Sequence, residues 1–125
     1  MTDAADHDDL PRIVGDTSEM PMLGGGSAWR LEPPERGLDA NIIDLPPDDE
    51  IARHDGPDLD VLIHVLTGSG ILETAAGEFH LDPGTLVWLP PRSQRRIVAG
   101  PGGLRYFSVH RRKPGLSIGS APPQR

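Results

Sequence analysis

Residues 61–91 read VLIHVL-TGSG-ILETAAGEFHL-DPG-TLVWL-PP. Each apolar run is short and ends in Gly, Pro or Asp, and none keeps the period of a helix. Val61–Leu66, Gly70–Thr74, Phe79–Leu81 and Thr85–Leu89 are therefore expected as strands. Thr67-Gly68-Ser69-Gly70 and Ala76-Gly77 supply residues that tolerate positive φ at tight reversals. Pro83-Gly84 and Pro90-Pro91 fall between runs, where proline's missing N–H harms no ladder.

The same punctuation extends to both sides. Trp29–Leu31, Asp39–Leu45 and Ile51–His54 precede this stretch, and Arg95–Val98 and Leu104–His110 follow it. Nine short strands within residues 29–113 indicate an all-β domain closed on itself, because an open sheet would leave long edges free to aggregate. Residues 1–28 carry Asp3, Asp6, His7, Asp8 and Asp9, and end in Gly24-Gly25-Gly26-Ser27. They are expected to form a flexible acidic tail in which Ile13-Val14 is too small an island to build a domain. Residues 114–125, with Pro114, Gly115, Gly119, Pro122 and Pro123, are expected as a second flexible tail.

A chain of 125 residues has room for one domain. It contains no cysteine, which excludes disulfides, Cys-ligated zinc, iron–sulfur clusters and thiol nucleophiles. No apolar run reaches the roughly 18 residues of a membrane span, and the acidic N-terminus is unlike a signal peptide. The expected protein is cytoplasmic, with no membrane partner. Net charge is −7, but residues 92–125 hold eight bases and no acids, while residues 1–91 hold all nineteen acids. Such a split lets the two halves attract each other within one fold. The bases are too scattered for the stripe that phosphate backbones require, so no nucleic-acid partner is expected. No nucleophile elbow, P-loop, dinucleotide fingerprint or H-E-x-x-H motif appears.

From His54 to Arg95 the chain resembles the cupin superfamily, small jelly-roll β-barrels. The carrying pattern is HDGPDLDVLIHVLTGSGILET followed by LDPGTLVWLPP, with GLDANIIDLPP upstream. The resemblance implies a cupin-like jelly-roll barrel over residues 29–113. Metal-binding cupins hold Fe, Mn, Ni or Zn on three histidines and a glutamate, in the motifs G-x5-H-x-H-x3,4-E-x6-G and G-x5-P-x-G-x2-H-x3-N. On this chain only His54 keeps a ligand position. Gly56 stands for the second His, Val61 for the Glu, Arg95 for the His of the second motif and Ala99 for its Asn. Gly68, Gly84 and Pro90 keep their positions, while Asp48 and Arg92 replace two motif glycines. A shorter spacer would put Asp60 at the Glu position, but strand alternation turns it away from Val61, Ile63 and Val65. One imidazole cannot hold a divalent ion and a guanidinium repels it, so no metal and no cofactor is expected.

What remains is a pocket of other chemistry. Arg95 offers a planar donor fork suited to carboxylate or phosphate. His54 would add a hydrogen bond, Tyr106 a phenolic donor if it points inward, and Val61, Ile63 and Ile97 apolar walls. Six residues are thus candidates for binding a small anionic or polar organic ligand: His54, Val61, Ile63, Arg95, Ile97 and Tyr106. An alternative is metal-independent isomerase or epimerase chemistry with His54 as base and Arg95 as electrostatic stabiliser. A third reading is a structural or regulatory interaction protein; the resemblance implies a homodimer. His64 and His80 are expected on outer strand faces, and Trp88 in a core or an interface.

Overall fold

The computed structural model describes residues 10–21 and 24–113. Seven strands follow a single 3-10 turn at Thr17–Glu19: β1 (Gly26–Arg30), β2 (Leu38–Leu45), β3 (Glu50–Asp55), β4 (Val61–Thr74), β5 (Gly77–Leu81), β6 (Leu86–Leu89) and β7 (Gln94–Arg111). All pairings are antiparallel. The protein is an all-β jelly roll.

Two long strands make the closure. β4 pairs with β6 through Val61–His64 and with β5 through Gly70–Thr74. β7 pairs with β3 through its first half and with β2 through Leu104–Arg111. Each long strand therefore serves both layers, one built as β1-β2-β7-β4-β6 and the other as β3-β7-β4-β5. The sequence reads each of these long strands as two. Gly68-Ser69-Gly70 produces register shifts at Val65/Thr67 and Gly68/Gly70 in place of a full reversal, so the ladder to β7 continues through the bend.

Gly68 shows why the bend needs glycine. Its φ is +82°, and a Cβ there would overlap the Gly103 carbonyl of the neighbouring strand. Because that neighbour is backbone, it cannot swing aside. Gly68→Ala is expected to lower the unfolding free energy by about 2–4 kcal/mol. Urea denaturation measures this; a loss under about 0.5 kcal/mol would show that the crossing relaxes.

The four motif glycine positions share one backbone conformation in this chain. Asp48 (φ 63°) and Arg92 (φ 61°) are the positive-φ non-glycine residues among the described residues, and Gly84 (φ 95°) joins Gly68. All four positions thus have the positive φ that glycine accommodates most easily.

Between the layers lies an aliphatic core of Leu45, Val61, Ile63, Val65, Leu72, Leu81, Leu89, Ile97, Ala99 and Leu104, with Tyr106. The separated charges meet across the fold, as their distribution along the chain suggests. Arg96 pairs with Glu50 (2.6 Å) and Glu73 (2.7 Å), and Arg92 with Asp58, while Arg53, from the acidic part of the chain, also pairs with Glu73 (3.0 Å). These pairs are largely solvent-exposed and contribute little each.

Part of the expected N-terminal tail is tied to the barrel. Trp29 Nε1 donates to the Val14 carbonyl at 2.9 Å. Arg105 donates from Nη1 to the Met20 carbonyl and from Nη2 to the Pro21 carbonyl, both at 2.8 Å. The same guanidinium forms a bidentate pair with Asp44, Nε–Oδ1 2.5 Å and Nη2–Oδ2 2.8 Å. Residues 1–9 and the second expected tail, 114–125, lie outside the described residues.

Candidate functional site

Inward positions on two strands, β4 and β7, line the interior of the barrel. Alternation along β7 turns Arg95, Ile97 and Ala99 inward, and further on Leu104 and Tyr106. On β4 the same alternation buries Val61, Ile63 and Val65 and exposes Leu62 and His64. Of the six candidate residues, Val61, Ile63, Arg95, Ile97 and Tyr106 are buried. The parity of Tyr106, open at the level of sequence, is inward.

His54 does not join them. It stands opposite Arg95 in the β3–β7 register, yet its ring is exposed and its Nδ1 lies 2.9 Å from the Ala52 carbonyl. The β3–β7 register shifts between Ile51 and His54, and sharing a register position with Arg95 does not carry the imidazole to the same face. No carboxylate is bonded to this ring among the described residues, so the orienting acid that base catalysis requires is missing there. Asp60 is exposed, one step out of phase with buried Val61.

Arg95 is only 6% exposed. Its Nη1 donates to the Ser93 carbonyl and to Ser93 Oγ, both at 3.2 Å. No acid lies within ion-pair distance of it among the described residues, and Nε and Nη2 have no protein acceptor among them. Burial depresses its pKa, partly offset by Tyr106. Burial also pushes the Tyr106 phenol up to about 12, although the nearby Arg95 cation pulls the other way.

Gly56 completes the arrangement and is missed by sequence reasoning. A Cβ at this position would overlap Arg95 Nη1. The loop is held there by the Gly56 N–H donating to the Ser93 carbonyl at 2.9 Å and the Arg92 N–H donating to the Pro57 carbonyl at 2.7 Å. The guanidinium therefore fills the volume that a side chain at 56 would occupy. The signal was present in the sequence: one of the two motif positions holds a residue without a side chain and the other a long one.

Histidine at 54 pointing outward, glycine at 56, valine at 61 and a guanidinium at 95 do not fit a divalent cation. Among the described residues, no three His, Asp or Glu side chains cluster so as to hold one. Two open clefts lie elsewhere, at β1 and the adjoining loop. One, of about 640 Å³, is bordered by Arg12, Trp29, Arg30 and Pro33; the other, of about 300 Å³, by Arg30, Arg36, Asp39 and His110. Neither touches Arg95.

The family model of the AraC-like ligand binding domain matches residues 42–114, more than half of the chain. The chain belongs to this family. The AraC-like domain also matches solved cupin structures over most of its length. The cupin domain of Cnp3 from Schizosaccharomyces pombe superposes with a TM-score of 0.68 at 16% identity, covering 82% of this chain and 71% of that one. A sugar phosphate isomerase of the cupin superfamily from Silicibacter pomeroyi gives 0.64 at 18%, covering 83% and 77%. A Cupin 2 conserved barrel domain protein from Salinispora arenicola gives 0.62 at 18%, covering 82% and 89%. At these identities the likeness is one of fold, the barrel that these cupin structures share. No curated protein matches the chain. No helix among the described residues is long and apolar enough to cross a membrane.

A pH dependence follows from the Tyr106 environment. Below pH 10 the phenol is neutral both folded and unfolded, and its full contribution is present. From pH 10 to about 12 the unfolded chain ionises first, so stability falls by about 1.4 kcal/mol per pH unit, roughly 2–3 kcal/mol in all. Urea unfolding across pH 9–12 should show this slope in the wild type and not in Tyr106→Phe. Equal slopes would place Tyr106 in contact with water.

Proposed function

We propose that the AraC-like domain binds a small anionic organic ligand, a carboxylate or a phosphate, inside the barrel, with Arg95 as the anion contact. The observation that carries this reading is a buried guanidinium with no acid beside it and two donor nitrogens unused. A cation in that state keeps only a little contact with water, through the two free nitrogens, and has no counter-ion, which a ligand anion would supply. Tyr106 stays neutral at ordinary pH and serves as a hydrogen-bond donor. Val61, Ile63 and Ile97 supply the apolar wall against the organic part. The ligand enters at the loop ends carrying Gly56 and Ser93 and takes over the Ser93 contacts of the guanidinium.

The test is a panel of small carboxylates and phosphates screened by thermal shift and titrated by calorimetry. At least one should bind with an affinity that Arg95→Gln weakens on the order of 100-fold, as expected for a desolvated charge contact. Gly56→Ala should weaken it similarly while unfolding at nearly the wild-type midpoint, because the displaced atom is the end of a flexible side chain. A ligand unaffected by Arg95→Gln would remove the proposed contact.

A further inference from the structure

The cleft of about 300 Å³ beside β1 holds more hydrogen-bond donors than its own acceptors use. Strand register builds it. Arg30, on the edge strand β1, stands opposite Asn41 of β2. Asp39, two residues back and on the same face as Asn41, stands opposite His110 of β7. The loop leading into β2 supplies Arg36. That loop is fixed before any ligand arrives. The Leu31 N–H donates to the Ala40 carbonyl (2.8 Å), the Arg112 N–H to the Gly37 carbonyl (2.9 Å) and Arg112 Nη1 to the Pro34 carbonyl (2.8 Å).

Arg36 is partly used. Its Nε donates to Asp39 Oδ1 at 3.0 Å, and its Nη1 to the Pro33 and Glu32 carbonyls at 3.0 and 3.3 Å, which leaves Nη2. Arg30 has no hydrogen bond or ion pair from its guanidinium among the described residues, and the Asn41 side-chain amide has none either. Asp39 is the one acid lining the cleft, so two guanidiniums against one carboxylate leave the lining at +1 with His110 counted neutral. Glu32 borders the neighbouring cleft instead. A cation on an edge strand discourages further strand pairing. That accounts for Arg30, but not for the amide and the second guanidinium brought beside it.

We propose that this cleft binds a phosphate dianion, free or as the monoester of a compact organic molecule, with Arg30 as the main contact and Asn41 and Arg36 as further donors. Phosphate suits the set better than carboxylate, because its three terminal oxygens accept from several side chains at once. The fixed loop lowers the cost of ordering the donors around it. The cleft does not touch Arg95, so this inference stands or falls apart from the ligand reading of the barrel interior.

Inorganic phosphate and glycerol phosphate, titrated into isotope-labelled protein at constant ionic strength and followed by amide NMR, should shift Arg30, Arg36 and Asn41 saturably. The expected dissociation constant is on the order of 1 mM. Shifts at Gly56 and Ser93 report the Arg95 site separately. In an Arg95→Gln background, which removes that site, Arg30→Gln should weaken phosphate binding about tenfold or more, and Asn41→Ala by a smaller factor. Arg53→Gln removes one exposed positive charge on β3 and should change the affinity less than about twofold. The tighter of the two ligands tells the free ion from the monoester. Shifts that chloride reproduces at equal ionic strength, shifts confined to Gly56 and Ser93, or equal losses for Arg30→Gln and Arg53→Gln overturn the proposal.

Discussion

Asp44→Ala is expected to lower the unfolding free energy by about 3–5 kcal/mol, a large share of what a domain of this size possesses. Asp44 is fully buried and Arg105 is 5% exposed, and they meet through two short charge-assisted bonds. Removing the carboxylate leaves a buried cation with only the Met20 and Pro21 carbonyls for company. The pair also fastens the N-terminal segment to the outer face of β2 and β7, so proteolysis near residues 10–21 should accelerate in the same variant. Replacing both partners, Asp44→Leu with Arg105→Met, should recover much of the loss, since no unpaired charge then remains. Urea unfolding of the three variants measures this; a loss below about 1 kcal/mol for Asp44→Ala would show that water reaches the guanidinium.

The opposite sign is expected ten residues earlier on the same strand. Arg95→Met should raise the stability of the ligand-free domain by about 1–3 kcal/mol. Methionine keeps the packing of the stem against the core, removes a charge that burial disfavours, and sacrifices only two 3.2 Å bonds to Ser93. The same variant should lose all thermal stabilisation by an anionic ligand. Such a trade of stability for binding separates a binding arginine from a structural one. If Arg95→Met were destabilised by more than about 1 kcal/mol, Arg95 would hold the barrel together, and the binding role would fall with it.

Much of the fold was legible before any coordinates. Proline and glycine lie between strands for covalent reasons, so the turns at 83–84 and 90–91 could be read locally. The number of strands could not. Gly68-Ser69-Gly70 has the composition of a reversal, but the partner strand holds the ladder together through the bend, and its paired residues, Leu104 and Ala99, are distant in sequence. Of the site, alternation along β4 placed Val61 and Ile63 inward and Asp60 outward. The inward placement of His54 rests on the resemblance alone, and the register shift within Ile51–His54 that precedes its exposed ring cannot be seen in so short a run.

By itself, the sequence determined an all-β barrel with an aliphatic core, turns at 83–84 and 90–91, and a donor set unfit for a divalent cation. These depend on residue type and neighbouring residues alone. Only the tertiary structure decided what the two buried arginines do. Arg95 and Arg105 lie on one strand, β7, ten residues apart. Arg105 meets an aspartate 61 residues away, while Arg95 meets a glycine and a serine. Which charge is neutralised and which is left to seek a partner is set by cross-strand pairing, and pairing is a property of the whole chain.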